Sequence, residues 1–463
     1  MKMKIGLSTY RTHKTFLWKK IFPVIFLFTC VDGFISNWLY PARLPLLYRD
    51  FFVLVMYILF LSQEPVGRWV SQLRIHIGSL AWFFAISFVF LGLLQIFNPL
   101  SPGISVGLLG FKIIFFYWPI AFLAYTYADS LKRVRRLLKT IVYFSIPINL
   151  FGIYQFWQGP EFLMTTFGPG FERATIIAHI EGIGVGESFL RVIGTFASTG
   201  QYSSFLLINA MLCFALLFST EKKREWLIFG GCTVFNFLAL LATGSRAGLL
   251  VLWVQVFAFG VLCHRARRTL VVGALVGLSL FYGFKWMGEP VIARYESLSN
   301  LEMIRHRTTE TTVEMFFDIL EEYPLGRGLG TASTASRHLV GEDSSGWSLV
   351  ENYPSKLQME VGILGVLLFY LFQVALSFQW LRRWLTPLDG HTFDLVAPLT
   401  AYCLTQFITV SLFGSLDSPP GVVFLWALIG IVARLFASSN AIRRALAEHP
   451  KRLRLYAKHS ISI

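Results

Sequence analysis

The sequence predicts an all-α polytopic membrane protein with about twelve transmembrane helices, and three observations carry the prediction. Of its 463 residues, 55% are hydrophobic and 14% charged, which leaves too few polar groups to cover a soluble globule of this size. The apolar residues gather into blocks of 17 to 25, the length that crosses a bilayer core of roughly 30 Å. The five cysteines (Cys30, Cys213, Cys232, Cys263 and Cys403) fall inside or at the edge of those blocks, and their spacing offers neither a disulfide framework nor a zinc pattern.

Spans are read near 21–39, 46–63, 79–97, 106–128, 141–158, 192–219, 227–243, 247–263, 269–286, 355–380, 395–414 and 421–437. With the N-terminus inside, the segments 1–20, 64–78, 129–140, 221–226, 264–268, 381–394 and the tail from Ser438 lie in the cytoplasm. They hold 27 of the 41 Lys and Arg residues, against nine in the external segments. Runs such as KRVRR at 132–136, EKKR at 221–224 and HRARR at 264–268 are short-loop clusters of the kind that set orientation, so both termini are expected in the cytoplasm. The net charge of +15 therefore reports topology, and no nucleic-acid partner is expected. The first span has no small-residue cleavage site after its apolar core and is expected to stay uncleaved. The basic tail, 438–463, reads as a cytoplasmic extension attracted to anionic lipid.

Two external segments, 159–191 and 287–354, exceed ordinary connections. The second carries 11 acidic residues and five arginines: Arg294, Arg305, Arg307, Arg327 and Arg337. Within it Val313, Phe316, Phe317 and Leu320 recur at helical spacing, which predicts a short amphipathic helix ended by Pro324 and Gly326. Such a helix can cover the bundle or line a substrate path. The glycine-rich turn PLGRGLG follows it.

Arg246 stands at the middle of an otherwise uncharged run from Leu227 to Cys263. That run is too long for one span and right for two, so Gly244-Ser245-Arg246 is expected to turn at the outer surface. By itself this arginine can snorkel to lipid phosphate or cap a helix end. Other external arginines enlarge the picture: Arg191 opens a span, Arg305 and Arg307 flank His306, and Arg327 lies in the glycine-rich turn. Several guanidiniums at the outer ends of spans suit a phosphate or pyrophosphate group at the membrane surface, because their planar forks meet phosphate oxygens bidentately.

For acid or base chemistry the candidates lie in VENYPSKLQMEVGILG, 350–365. Glu351 and Asn352 sit just outside the span that begins near Ser355, and Glu360 falls within its first turns. An intramembrane carboxylate is a functional candidate. Glu360 also suits a helix N-terminal charge or a partner to an interior arginine, and Glu351 an ordinary loop acid. His179, His306 and His338 read as loop histidines. The sequences GIGVG at 182–186 and GRGLG at 326–330 are too short, and too far from any strand–helix unit, to be dinucleotide sites. The chain shows no metal cluster pattern, Walker loop or nucleophile elbow.

In order along the chain, RVIGTFASTGQYSSFLL (191–207), TGSRAG (243–248), a long external loop, PLGRGLG (324–330) and ENYPSKLQMEVGILG (351–365) resemble the O-antigen ligase and polysaccharide polymerase family. The resemblance covers about 190–380. It implies a GT-C-like glycosyltransferase bundle in the bacterial inner membrane, with a long external loop between spans 9 and 10. It also implies inverting transfer from a polyprenyl-diphosphate-linked glycan at the periplasmic face, without cofactor or metal. At matching positions, Arg191, Arg246 and one of Arg305 or Arg307 are implied to hold the lipid diphosphate and stabilise its departing charge, with Arg327 and Asn352 as further binding residues. Glu351, Arg246 and Arg191 are the implied catalytic set. Glu351-Asn352 stands where the ligases typically carry a histidine followed shortly by asparagine, and the missing histidine favours a polymerase of surface or exopolysaccharide over a ligase. The implied partners are an acceptor glycan, the lipid bilayer and other polysaccharide export proteins.

Twelve spans with both termini inside also describe many solute transporters, and Lys112, inside span four with Pro119 nearby, favours that reading. Against it, no corresponding pair of Gly/Pro-interrupted spans divides the chain into similar halves, and the polar elaboration falls almost wholly on one face.

Overall fold

Where water is excluded, a backbone must satisfy its own N–H and C=O groups, and long apolar runs therefore become helices. The computed structural model describes residues 16–40, 48–180, 191–263, 266–296, 305, 309–333, 350, 352–384, 390–413 and 418–448. All the regular elements among them are helical: α1 Leu17–Trp38, α2 Tyr48–Gln63, α3 Val66–Ile77, α4 Ser79–Gln95, α5 Ile104–Phe115, α6 Ile120–Tyr127, α7 Leu131–Thr166, α8 Pro169–Ile180, α9 Thr199–Ser219, α10 Lys223–Ala242, α11 Arg246–Cys263, α12 Ala266–Met287, α13 Glu289–Glu296, α14 Met315–Glu322, α15 Tyr353–Trp384, α16 Gly390–Phe413 and α17 Gly421–Glu448.

A helix stands at each of the twelve expected spans. Eight are long and apolar enough to cross a bilayer, or nine if Trp69–Ile77 and Ser79–Gln95, bent by 113°, count as one. At 16 residues α2 is shorter than these, as is the apolar part of α17, Gly421–Ala437. Phe83, Ile86 and Phe90 of α4 and Phe257 and Val261 of α11 face outward, an apolar surface suited to lipid rather than water.

At the centre stands α9, in which every side chain from Phe205 to Leu217 is buried. It packs against α7, α10, α11, α16 and α17. A polar knot ties it to two of these neighbours. Asn209 Nδ2 donates to Ser145 Oγ of α7 at 2.9 Å and to Asn236 Oδ1 of α10 at 2.8 Å, while Asn236 Nδ2 donates to the Leu206 carbonyl at 2.7 Å. Deep in an apolar bundle such side-chain hydrogen bonds are worth about 1 kcal/mol each and fix the register of the helices.

Two segments break the helical rule, and each sits where the sequence alone suggested continuous helix or simple loop. Residues 191–198, read as the first turns of a span, are non-helical, and α9 begins only at Thr199. The apolar residues Val192, Ile193 and Phe196 are buried there without being helical, a distinction that hydropathy does not make. The other break is inside α15 at Gly362, whose φ of 71° and ψ of −180° only glycine adopts readily. The glycine-rich segment wedges into this break. Ile363 N–H donates to the Pro324 carbonyl at 3.0 Å, Arg327 N–H donates to the Met359 carbonyl at 2.7 Å, and Gln358 Nε2 donates to the Tyr323 carbonyl at 3.0 Å.

Other expectations shift in detail. The span read as 141–158 is the middle of a longer helix, α7, which starts in the expected cytoplasmic loop and continues past a kink at Gly159. The amphipathic helix exists, but its inward line is buried Ile319 with half-buried Met315, Phe316 and Leu320, on a helix packed against α15, while Val313 and Phe317 are exposed. The stripe is displaced because the turn leading into α14, Thr309–Glu314, is π-helical and changes the angle per residue. Lys112, the residue that favoured transport, is ion-paired with Asp50, which also accepts from Tyr117 OH, and Arg49 pairs with Asp32 beside them. This charge is thus neutralised within a structural clamp between α1, α2, α5 and the α5–α6 connection.

Replacing Gly362 with alanine forces an L-residue into a glycine conformation and drives Cβ to 2.3 Å from the Leu325 backbone. The strained conformation alone costs on the order of 1–3 kcal/mol. Thermal unfolding in detergent is expected to show a clearly lowered Tm for Gly362→Ala, with Gly230→Ala, where Cβ meets open space, close to the parent.

Candidate functional site

A cavity of about 220 Å³ opens at one end of the central helix. First-turn or capping residues of three helices line it: Ser198, Gly200 and Gln201 of α9, Ser245, Ala247 and Gly248 of α11, and Ser418 and Pro420 before α17. Gln406 and Thr409, near the C-terminal end of α16, close the remaining side. The wall is dominated by hydroxyls and amides and, among the described residues, carries no charged side chain. Each helix N-terminus presents unpaired N–H groups and about half a positive charge, so three of them together favour an anion or an acceptor-rich ligand.

Local sequence explains how these ends are shaped. Ser198 caps α9 by accepting from Gln201 N–H at 3.3 Å, and Gln201 Oε1 accepts from Ala197 N–H at 3.2 Å, a reciprocal capping arrangement. Ser245 Oγ accepts from Gly248 N–H at 3.1 Å and caps α11. Ser203, 4% exposed, has an Oγ without a protein partner among the described residues, and it lines the cavity.

Two of the sequence-predicted arginines adjoin the cavity-lining segments along the chain. Arg246 is the first residue of α11, half-buried, between two residues of the cavity wall. The expected turn between two spans is real: α10 ends at Ala242 and α11 begins at Arg246. Arg191, also half-buried, heads the non-helical segment, and its carbonyl accepts from Thr199 Oγ1 at 3.2 Å, the first residue of α9. That segment is held from two sides. Gln155 of α7 makes a reciprocal pair with Gly194, Nε2 to the carbonyl and N–H to Oε1, both 2.9 Å. On α1, Phe34 N–H donates to the Thr195 carbonyl at 2.8 Å and Thr195 Oγ1 donates to the Cys30 carbonyl at 2.5 Å. Gly33 permits this approach, since a Cβ there would lie 2.0 Å from the Phe196–Ala197 backbone.

Of the remaining candidates, none that the structure describes lines this cavity. Arg327 belongs to the segment wedged into the α15 break, with its guanidinium 5.7 Å from the Tyr323 ring. Asn352 is a helix cap: its Oδ1 accepts from Ser355 N–H at 2.8 Å, which explains an asparagine just ahead of α15. Arg305 is exposed, whereas Arg307 and Glu351 lie outside the described residues. Glu360 is 1% exposed and stands one turn from the buried Lys356 on α15, a lysine that the sequence reading passes over. The sequence reading also misses Ser204, Gln406, Thr409 and Ser418. Their only signal is a high density of hydroxyl and amide groups at the ends of apolar spans.

The described residues thus form a multi-pass helical membrane protein with a polar, dipole-rich cavity at one end of the bundle, and Arg246 opens one of the helices whose first turn lines it. Residues 231–370 match the O-antigen ligase family model, and the match supports an O-antigen ligase-related family with a membrane ligase- or polymerase-type function. The matched stretch runs from α10 through Arg246, the glycine-rich segment and Asn352 into α15; it contains neither Arg191 nor the cavity walls supplied by α16 and α17. No curated protein gives a match to the chain.

The opposite end of α9 is basic: Lys132, Arg135, Arg136 and Lys139 of α7 and Lys222 line a second cavity there. Twenty-one helical residues separate the two ends, about 30 Å at 1.5 Å per residue, which is the thickness of a bilayer core. The five cysteines are free and buried, so background labelling is expected to be low. In intact cells Ser204→Cys is expected to react with a membrane-impermeant maleimide, and Lys132→Cys only after permeabilisation. The reverse pattern shows an inverted bundle.

Proposed function

We propose that the chain polymerises polyprenyl-diphosphate-linked glycan repeat units at the periplasmic face, using the cavity end of the bundle. The observation that carries this reading is the meeting of three helix N-termini at one polar cavity, with Arg246 between two of its lining residues in sequence and the Arg191 carbonyl bonded to the first residue of α9. Positive dipole ends and guanidiniums are both suited to a diphosphate, and a cavity lined by hydroxyls and amides beside them is suited to a sugar. The family match over 231–370 supports the same class of chemistry.

In the reaction, a hydroxyl oxygen of the acceptor glycan attacks the anomeric carbon of the donor from the face opposite the diphosphate. The new C–O bond forms as the bond from that carbon to the phosphate oxygen breaks, with inversion, and the electron pair leaves on the diphosphate. Arg191 and Arg246 stabilise the charge that develops there, together with the fixed dipoles of α9, α11 and α17. One of Arg305 or Arg307, with Arg327, serves as a further anion-binding group, and Asn352 caps the start of α15. Glu351 accepts the proton from the attacking hydroxyl. The glycan donor, the acceptor glycan and the bilayer are the partners of this reaction, and other polysaccharide export proteins act on its product.

A ligase reading, in which finished glycan passes to a lipid or protein acceptor, has one observation in its favour, the O-antigen ligase description of the matching family. Product profiles separate the two: loss of long chains marks a polymerase, and loss of attachment alone marks a ligase.

Removing a group that stabilises a developing oxyanion typically costs about 10²–10³ in rate. Arg246→Ala and Arg191→Ala are each expected to lower polymer yield on that order, with Arg246→Lys only partly restored because an ammonium lacks the planar fork. Glu351→Gln is expected to abolish chain growth while donor binding persists. Unchanged chain length and yield in both arginine variants sinks the diphosphate assignment, and retained growth in Glu351→Gln removes that residue from proton transfer.

A further inference from the structure

The cavity at the basic end of α9 carries more charge, and a more ordered arrangement of it, than membrane orientation requires. This recess measures about 750 Å³ and is lined by the N-terminal part of α7, the end of α9 and the start of α10. It gathers five cationic side chains, Lys132, Arg135, Arg136, Lys139 and Lys222, against two carboxylates, Glu221 and Glu225, an excess of three positive charges. Setting a topology needs only enough basic residues near the end of a span, whichever way they face. Here four of them stand at i, i+3, i+4 and i+7 of α7 and so form one stripe, on the side of the helix that meets the recess. Arg133, in the same run but off the stripe, is paired with Asp129 and does not line the cavity.

Such a stripe is unfavourable by itself. Like charges three and four residues apart on a helix repel, and this stripe starts in the first turn of α7, where the helix dipole is already positive and no acidic residue offsets it. Among the described residues, Lys139 is the cation of the stripe with a carboxylate partner, Glu225 at 2.8 Å, and the same carboxylate oxygen accepts from Thr220 Oγ1 at 2.9 Å. Lys222 is the N-cap residue of α10 and makes no side-chain cap hydrogen bond there, so the recess receives the positive ends of two helices. Ser219, Thr140 and Tyr143 add hydroxyls to its wall. Two neighbouring guanidiniums with ammoniums and hydroxyls around them suit a group that presents several oxygens at once, as phosphates do. The excess of three charges is also larger than the single charge of an ordinary phosphodiester headgroup neutralises.

We propose that this recess is a binding site for a phosphate-dense ligand, one carrying at least two negative charges on neighbouring phosphate groups. Arg135 and Arg136 hold the phosphate oxygens, with Lys132 and Lys222 beside them, and Lys139 is kept in place by Glu225. A lipid with two phosphates in its headgroup and a soluble polyphosphate both present this chemistry. The site is separate from the one proposed for the donor diphosphate, since the length of α9, about 30 Å, lies between the two cavities. It therefore stands or falls independently of the roles given to Arg191 and Arg246.

The test is equilibrium binding to the full chain, carrying Arg246→Ala so that anion binding at the opposite end stays out of the measurement. Inorganic pyrophosphate is titrated in phosphatidylcholine nanodiscs, and cardiolipin and dioleoyl phosphatidylglycerol are offered in mixed micelles at equal charge, with retained lipid counted by native mass spectrometry. Arg135→Gln with Arg136→Gln removes the guanidiniums from a half-buried and an exposed position, which spares the fold. This pair is expected to weaken whichever of pyrophosphate and cardiolipin the parent binds by about tenfold, the loss of a charge-assisted hydrogen bond. Arg133→Gln, which removes a charge of the same run outside the recess, is expected to bind like the parent. Saturable pyrophosphate binding assigns a soluble ligand, and retained cardiolipin that pyrophosphate does not displace assigns a lipid headgroup. The proposal is overturned if the parent binds neither probe or if the double variant binds both like the parent. An equal loss in Arg133→Gln overturns it as well, since the effect is then one of general surface charge. Phosphatidylglycerol retained as well as cardiolipin does the same, because the recess then takes any anionic lipid.

Discussion

Irregular backbone inside a membrane bundle must find its hydrogen bonds among side chains, and this protein meets that constraint with a small set of amides. Gln155 satisfies both polar groups of Gly194. Gln95 Nε2 donates to the Leu325 carbonyl at 2.8 Å, Asn98 Nδ2 donates to the Gly326 carbonyl at 3.1 Å, and Gln358 serves Tyr323. An unsatisfied carbonyl or N–H in such a place costs several kcal/mol, so these residues determine which paths the non-helical chain can take. Arg191 and Arg327 both ride on segments secured in this way. Their backbone positions are accordingly set by packing and hydrogen bonding rather than by loop conformation.

Chain direction supplies the second ordering principle. Successive spans alternate, so helices that begin at one end place all their N-termini there. The cavity gathers α9, α11 and α17 by this rule, and α16 arrives by its C-terminal end. The positive field at the cavity is thus a consequence of topology, present before any arginine is added. It also removes the apparent cost of Arg246. A guanidinium at the first residue of a helix, beside a capping serine and at the end of two spans, does not pass through the hydrocarbon core, and the penalty for a charge at mid-membrane does not apply.

Much of this was readable from residues alone, and the failures have physical causes. The run from Leu227 to Cys263 disclosed two helices and a turn because length is decisive where hydropathy is uniform. The segment 191–198 was misread as helix because Val192, Ile193 and Phe196 are as apolar as any span, and burial in protein looks the same as burial in lipid. Lys112 suggested transport because its partner, Asp50, is 62 positions away and its pairing follows only from the packing of α2 against α5. The far walls of the cavity were hidden for the same reason: Ser204 and Gln406 lie about 200 positions apart, and nothing in the sequence pairs them. The family match, confined to 231–370, shows the same boundary, since it covers one arginine of the rim but not the helices that complete the cavity around it.

The proposed chemistry follows from how little this site has to move. A leaving diphosphate gains charge as its bond breaks, and groups that must rotate or shed water at that moment contribute less than groups already fixed. At the cavity the dipoles are fixed by the helices themselves, Arg246 by its place in the first turn of α11, and Arg191 by a segment tied to α1, α7 and α9. A lipid-borne donor is restricted as well, because its tail confines it to the bilayer and its head to the surface. For a donor confined in this way, much of the ordering needed for the proposed transfer is supplied by binding before the bond begins to break. The acceptor then carries the largest remaining entropic cost.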